Sequence, residues 1–557
     1  MQRKQLAGWH FIDGNGTFEL PDPQDNNYLY FPLANRAGMF SSVTPSLHGD
    51  AKTDHNTFLL RPVSVEDLHD SSSARNFWVS VNGVPWSATG NSAGQAARRG
   101  TADQDEVHLR AGLLWQTVTR RQPGSGLQAE VTSFIPEGED RVELMRVVLT
   151  NDGKEPFTLV PTAAIPLFGR SADNLRDHRH VTALLHRTRL HRHGVLVRPT
   201  LSFDERGHLP NDLTYAVLGA DAAGDPPVGF FPLVQDFIGE GGALDWPAAV
   251  VNEAPISRAG DPVAAGYESI GALRFAEVRL SPGESAVYVL VLGILPEGCA
   301  PDTLLERYGS ADRFDAWLER TCAAWAERAA ALRFTSGDAR YDGWLQWVGV
   351  QPVLRRLMGN SFLPYHDYGR GGRGWRDLWQ DALALLLTET GDISSMLLEY
   401  FAGVRMDGSN ATIIGSRPGE FKADRNGIPR VWMDHGAWPL LTVRLYLDQS
   451  GDLDFLLREQ SYFGDHLTHR CREVDPRWRP ELGTRLRTAS GEPARGTVLE
   501  HLLVQHLTAF HNVGRHNLLL LEGADWNDAF DMAPHQGESV AFSALYAANL
   551  RTLGELC

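Results

Sequence analysis

The chain has 557 residues, 43% hydrophobic and 22% charged, with 52 Lys and Arg against 69 Asp and Glu and a formal net charge of −17. That length exceeds what one hydrophobic core supports, so two or three domains are expected. The acidic balance repels nucleic acid and anionic membranes, and no segment approaches the roughly 18 uninterrupted apolar residues of a membrane span. The N-terminal string Met1 to Trp9 carries basic residues with no apolar run behind them, which is not the pattern of a secretory signal. Cys299, Cys322, Cys471 and Cys557 lie far apart with no CxxC spacing, so neither a disulfide framework nor a structural zinc is expected, and a reducing cytoplasm suits them.

Up to about residue 300 the chain reads as strands and turns. Val142 to Thr150 runs into the turn Asn151-Asp152-Gly153, and Ala286 to Leu295 is a second strand-like run, so residues 1–300 are expected to form a large β-sandwich. A histidine-rich stretch, Arg176 to His193, interrupts it. Read as a strand, Asp177-His178-Arg179-His180 places neighbours on opposite faces, which speaks against a metal site. From Pro301 the period changes. Leu304, Leu305, Tyr308, Phe314, Trp317, Leu318, Cys322 and Trp325 recur at helical spacing with Gly309 between two helices, which predicts a helical linker over 301–337.

Beyond Asp338 about seven helices are expected: Tyr341 to Arg356 with a kink at Pro352, Leu378 to Leu387, Ile393 to Phe401, Gly436 to Leu447, Leu453 to His466, Val498 to His511 and Ser539 to Leu553. Two strings between them carry chemistry. The first, His366 to Asp381, mixes Arg370, Arg373 and Arg376 with Tyr368, Trp375 and Trp379 and several glycines. Glycines let backbone approach a ligand, arginines offer planar forks to phosphate or carboxylate, and aromatic rings give a face to a sugar. The bland alternative is a polar interhelical loop whose arginines pair with their own aspartates.

The second string, Leu521 to Met532, puts Asp525-Trp526-Asn527-Asp528 behind the apolar run Leu518 to Leu521. A carboxyl beside an aromatic face after a buried segment is where a general acid can be made, and the same string also reads as a cap or solvated loop. Asp407 to Asn410 and Trp432 to Gly436 look like loops at helix ends. Asp434 reads equally as a border of a sugar site and as the cap of the following helix. Glu522 is the rival acid, with a helix-end charge as its plainer role.

Together, GRGGRGWRDLWQD at 369–381 and GADWND at 523–528 resemble the inverting disaccharide phosphorylases of glycoside hydrolase family 94. Asn15 to Phe18, Tyr30 to Asn35 and Arg75 to Trp78 look most like the laminaribiose and 1,2-β-oligoglucan branch, favouring β-1,3 or β-1,2 linkages. The resemblance implies an N-terminal β-sandwich, a helical linker and an (α/α)6 toroid of twelve helices beginning at 338, left incomplete at Cys557 because about seven helices are too few. It also implies phosphorolysis of a β-linked glucose disaccharide or short oligosaccharide to α-glucose 1-phosphate, with inorganic phosphate as co-substrate and no cofactor or metal.

By the same resemblance Asp528 is the general acid, Trp526 borders the −1 sugar, Arg376 and Asp377 bind that sugar, and Arg370 holds phosphate, with Arg373 as the alternative. Further phosphate ligands would lie beyond Cys557. A homodimer or a complementing C-terminal polypeptide is the expected partner. Two other functions stay open at this point: an inverting hydrolase, which needs a second carboxylate roughly 6.5–9.5 Å from the acid, and a non-catalytic carbohydrate-binding or assembly subunit.

Overall fold

The computed structural model describes residues 8–26, 28–204, 207–252, 254–358, 374–388, 393–415, 419–422, 430–523, 527, 533 and 535–557. Among them the chain divides into two compact units, one running to Gly349 and one from Val350 to Cys557.

The first unit is built on two large antiparallel sheets. The larger has ten strands in the order His10–Phe11, Phe18–Pro21, Glu106–Gly112, Trp115–Arg121, Leu127–Phe134, Val142–Asn151, Ser285–Leu295, Thr214–Asp221, Gly194–Val197 and Thr188–His191. The other is centred on Phe157–Leu167, paired on one side with Ser269–Arg274 and on the other with Asn76–Val81. Leu109, Val118, Val131, Val147, Val217, Leu290 and Leu292 of the first sheet bury against Phe77, Val79, Leu159, Ile165 and Leu273 of the second in one core. This is the period-2 arrangement of a sandwich.

The run Val287 to Leu295 is apolar at nearly every position because both of its faces are covered. Leu290 and Leu292 point into the sandwich, while Val289 and Val291 join Phe134, Leu144, Ala216 and Leu218 beneath two helices. Those helices, Pro301–Tyr308 and Ala311–Ala330, contribute Leu304, Leu305, Tyr308 and Phe314 to that outer layer. Gly309 closes the first of them. The aromatic stripe read from the sequence is therefore packing on the back of a sheet.

The histidine-rich stretch is not a strand throughout. Ala172–Arg176 is a 3-10 turn capped by Ser171, and Arg179–Ala183 is a short helix with His178 at its N-cap. His178 and His180 therefore sit at the start of a helix and not on a strand, and their rings stack at 5.3 Å. Only Thr188–His191 at the end of the segment is extended. Arg179, in the first turn of that helix, reaches Glu268 with two bonds, at 2.8 and 2.7 Å.

In the second unit and at its start, six α-helices lie among the described residues: Ala339–Met358, Trp375–Thr388, Ile393–Phe401, Trp438–Ser450, Val498–His511 and Val540–Leu556. Pro352 sits inside the first. Leu378, Trp379, Ala382, Leu385 and Leu386 are the buried positions of the second, spaced three and four apart. Val498–His511 starts with a capping box, Thr497 accepting from Glu500 N and Glu500 reaching back to Thr497 N.

Leu453 to His466, expected as a helix, is not one. Gly451, at φ 70°, ends the preceding helix, and Asp452 caps only the 3-10 turn Leu453–Leu457. Glu459–Ser461 then pairs as a strand with Arg495–Thr497. Its apolar residues bury in adjacent groups, Phe455 with Leu456 and Tyr462 with Phe463, rather than on one helical stripe. The backbone groups are satisfied across the chain instead of four residues back.

Candidate active site

The helical unit brings Trp375 and Arg376 of the first string and Gly523 of the second to one loop, residues 430–437. Trp375 opens the helix Trp375–Thr388, is fully buried, and donates from Nε1 to the His435 carbonyl at 3.0 Å. Its neighbour Arg376 is thereby turned toward the same loop and grips Asp434 side-on, Nε to Oδ2 at 2.6 Å and Nη2 to Oδ1 at 3.1 Å. Asp434 is wholly buried and takes a third bond, from Trp438 Nε1 at 2.8 Å. Three donors satisfy the buried carboxylate. The Arg376 guanidinium also lies over the Trp432 ring, 5.0 Å from its centre, and Trp432 stacks on His435 at 5.7 Å.

Asp434 is thus not the cap of the next helix. That helix starts at Trp438 behind Ala437, with no side-chain cap, and Asp434 contributes its backbone carbonyl to Ala437 N. Its carboxylate positions Arg376, a role the sequence could have signalled only through the aromatic residues spaced around it.

From behind, two later helices pin the loop. Tyr546 donates to the Met433 carbonyl at 2.7 Å, and Asn549 donates to the Ala437 carbonyl at 3.1 Å while meeting His506 at 3.0 Å. Gly436 has to be small, since a Cβ there would stand 2.6 Å from the Tyr546 hydroxyl. The second string arrives through Gly523. A Cβ on it would sit 3.0 Å from Val431 N, so the residue that opens GADWND is packed on the backbone beside Trp432.

Burial holds the His435 imidazole neutral, lowering it to about 4 against the pull of Asp434. On the opposite flank of Arg376, Asp377 lies 3.9 Å from Arg355, and Asp381 lies 3.0 Å from the same guanidinium. Burial raises Asp381 to about 6, with Asp377 adding to the shift and Arg355 opposing it. Glu522 is locked in an ion pair with Arg470, at 2.8 and 2.6 Å. Arg470 is itself held by Asp407, which accepts from its backbone N–H at 2.6 Å. Glu522 therefore serves as a bracket between loops.

Of the residues singled out from the sequence, Arg376 and Asp377 fall in this arrangement. Arg370, Arg373, Trp526 and Asp528 lie outside the described residues. Among the described residues, no cluster of three or more His, Cys, Asp or Glu has the form of a metal site, and no helix is long and apolar enough to cross a membrane.

The family comparisons give the class of the sandwich and of the helices that follow it. Residues 54–311 match the glycosyl hydrolase 94 supersandwich domain, and residues 487–557 match the glycosyl hydrolase 94 superfamily catalytic domain, a stretch that includes the GADWND string. The chain belongs to glycoside hydrolase family 94, with an N-terminal supersandwich followed by helices of the (α/α)6 class.

A curated relative, the solabiose phosphorylase of Paenibacillus borealis, is 23% identical over 427 residues, which is 76% of this chain and 47% of the relative. The chain thus spans about half the length of that protein. Among solved structures it resembles a family GH92 glycosyl hydrolase, with 11% identity, 98% of this chain and 60% of that one covered, and a TM-score of 0.34. It also resembles the GH92 α-mannosidase of Bacteroides thetaiotaomicron, with 11% identity, 89% and 68% covered, and a TM-score of 0.29.

Proposed function

We propose that this chain carries the donor-sugar half of an inverting phosphorylase that converts a β-linked glucose disaccharide or short oligosaccharide and phosphate to α-glucose 1-phosphate and a shortened sugar. The observation that carries it is the convergence of Trp375, Arg376 and Gly523 on the loop 430–437, in a chain whose family relative is a disaccharide phosphorylase. Inversion by hydrolysis needs two carboxylates, acid and base, whereas phosphate is already an anionic nucleophile and needs mainly positioning and charge screening.

In this reading Asp528 gives its proton to the glycosidic oxygen as a phosphate oxygen bonds to the anomeric carbon from the opposite face and the C–O bond to the leaving sugar breaks. Trp526 borders the −1 ring. Asp377 accepts from hydroxyls of that sugar, and Arg376 reaches it from the edge of the guanidinium that Asp434 does not occupy. Arg370, or Arg373 in its place, neutralises phosphate. Inorganic phosphate is the co-substrate, no cofactor enters, and the reaction belongs in the cytoplasm. A homodimer or a complementing polypeptide is the partner this reading proposes.

Two measurements test the assignment. Asp528→Asn in the active assembly matches the carboxyl in size without donating the proton, and should leave no more than a few percent of the rate in either direction. Arg370→Ala should raise the KM for phosphate far more than that for the sugar. Turnover of the sugar that is indifferent to phosphate would instead identify a hydrolase.

A further inference from the structure

The string GADWND follows directly on a base that the structure fixes closely. Leu519–Leu520 pairs antiparallel with Glu538–Ser539, and Leu521 N–H donates to the Gly537 carbonyl at 2.9 Å, so the stretch that leaves at 521 returns at 537. Glu522 is the first residue past that foot. It stands at φ 52°, in the left-handed region that a residue with a Cβ seldom occupies unless its surroundings hold it there.

Arg470 does the holding. Its guanidinium takes both Glu522 oxygens, Nε to Oε1 at 2.8 Å and Nη2 to Oε2 at 2.6 Å, with both side chains largely buried. Arg470 lies in the turn between the paired strands Leu467–Thr468 and Glu473–Val474, where His469, Arg470 and Cys471 stand at φ 52°, 56° and 61°. Left-handed backbone outside glycine normally comes as single residues, so three in a row need support from outside the turn. Asp407 gives it, accepting from Arg470 N–H at 2.6 Å through Oδ2 and from Arg470 Nη1 at 3.1 Å through its backbone carbonyl. Ser409 holds Asp407 in turn, donating to Oδ1 from its N–H at 3.0 Å and from its hydroxyl at 2.6 Å.

An arginine and a glutamate can pair from ordinary backbone, so a bracket alone requires neither partner to be strained. Here both are, and the strained glutamate directly precedes the string that carries Asp528. One residue on, Gly523 lies against Val431 N, where a Cβ would stand 3.0 Å away. The two residues that lead into the acid are thus fixed from two sides, by Arg470 and by the loop 430–437. A planar fork suits this task, because it fixes the direction of a carboxylate where an ammonium would supply only charge.

We propose that Arg470 is a positioning residue for the acid: by gripping Glu522 it holds the left-handed bend at the foot of the loop and sets the direction in which the chain runs toward Asp528. This rests on the reading of Asp528 as proton donor. The role requires no contact of Arg470 with sugar or phosphate.

Steady-state kinetics of the active assembly test it, with laminaribiose, sophorose and cellobiose offered with phosphate and the one the parent turns over best used throughout. A displaced acid fails only in the transition state, so Arg470→Met should lower kcat about 100-fold and leave both KM values within about threefold. Glycine adopts the bend without being held, so Arg470→Met/Glu522→Gly should recover about tenfold of that loss. Should Arg470→Met melt early, Arg470→Lys keeps the charge without the fork, and its kcat should fall about tenfold. An unchanged kcat in a folded Arg470 variant, a loss confined to KM, or a double variant no better than Arg470→Met would each overturn the proposal. Asp528→Asn measured alongside separates the two ways of failing. If it stays active, the acid assignment falls and this proposal with it; if it is inactive while the Arg470 variants keep their kcat, only the role of Arg470 falls. A parent that turns over none of the three sugars would remove both.

Discussion

Two arginine–carboxylate pairs, one in each unit, differ in how much of the arginine they leave exposed. In the sandwich, Arg75 and Glu143 are both sealed from solvent, and Arg75 spends its other donors on the carbonyls of Gly49 at 2.8 Å and Asp50 at 3.0 Å. Lys52 and Asp50 form a second buried pair alongside, 2.8 Å apart. Every face of Arg75 is used. In the helical unit Asp434 is equally sealed, but its partner Arg376 keeps 16% of its side chain exposed and covers an aromatic ring. The first arrangement closes a fold. The second holds a cation rigidly at a surface, as ligand recognition requires.

Breaking the pairs should give different losses. Arg75→Ala strands Glu143 in a dry interior and should cost about 3–5 kcal/mol of stability, read as a lowered urea midpoint for the sandwich. Arg376→Ala should cost less, about 1–3 kcal/mol, because water reaches the gap and Trp438 still serves Asp434. Its larger effect should fall on function, a roughly 10–100-fold loss of kcat/KM for the sugar in the active assembly, matching one charged hydrogen bond. Equal stability losses with unchanged kinetics would show that both pairs are structural.

Protonation sharpens the contrast inside the helical unit. His435 is lowered to about 4, so its neutral form favours the fold, and stability falls as pH drops from its unfolded value near 6.5 toward 4. Asp381 is raised to about 6, so the fold binds its proton more tightly than the unfolded chain does, and stability falls as pH rises from about 4 through 6. The two oppose each other across the same window. Asp381→Asn should therefore gain stability relative to the parent as pH rises through 6, by about 1–2 kcal/mol at pH 7, and show no advantage below pH 4. Urea midpoints at pH 4, 5.5 and 7 decide it, and an advantage independent of pH would remove Asp381 from the account.

The smallest expected effect is that of Gly523→Ala. The added methyl meets Val431 N at 3.0 Å and must push the strand before GADWND away from the loop 430–437, for a stability loss of about 1 kcal/mol. If that packing aligns the two strings, activity should fall by more than the stability change implies. A fall in stability alone would make Gly523 a packing residue only.

Legibility followed the range of the forces. The helices Ile393–Phe401 and Val498–His511 could be read residue for residue, because their apolar period lies within the segment itself and the second adjoins its own capping box, Thr497 with Glu500. Leu453 to His466 misled because its strand partner, Arg495–Thr497, lies more than thirty residues away, and local spacing carries no trace of it. The Arg376–Asp434 pair was hidden for the same reason, its partners being 58 positions apart.

Motif and composition by themselves determined the family, the change from strands to helices near residue 300, and the residue types on which acid and phosphate chemistry would draw, since these depend on local period and on strings of neighbouring side chains. Tertiary structure alone decided that Asp434 braces Arg376 and that Glu522 is an ion-pair bracket gripped by Arg470. Each of these rests on side chains brought within a few ångströms across long stretches of chain, where hydrogen bonding and desolvation act on distance in space and not on separation in sequence.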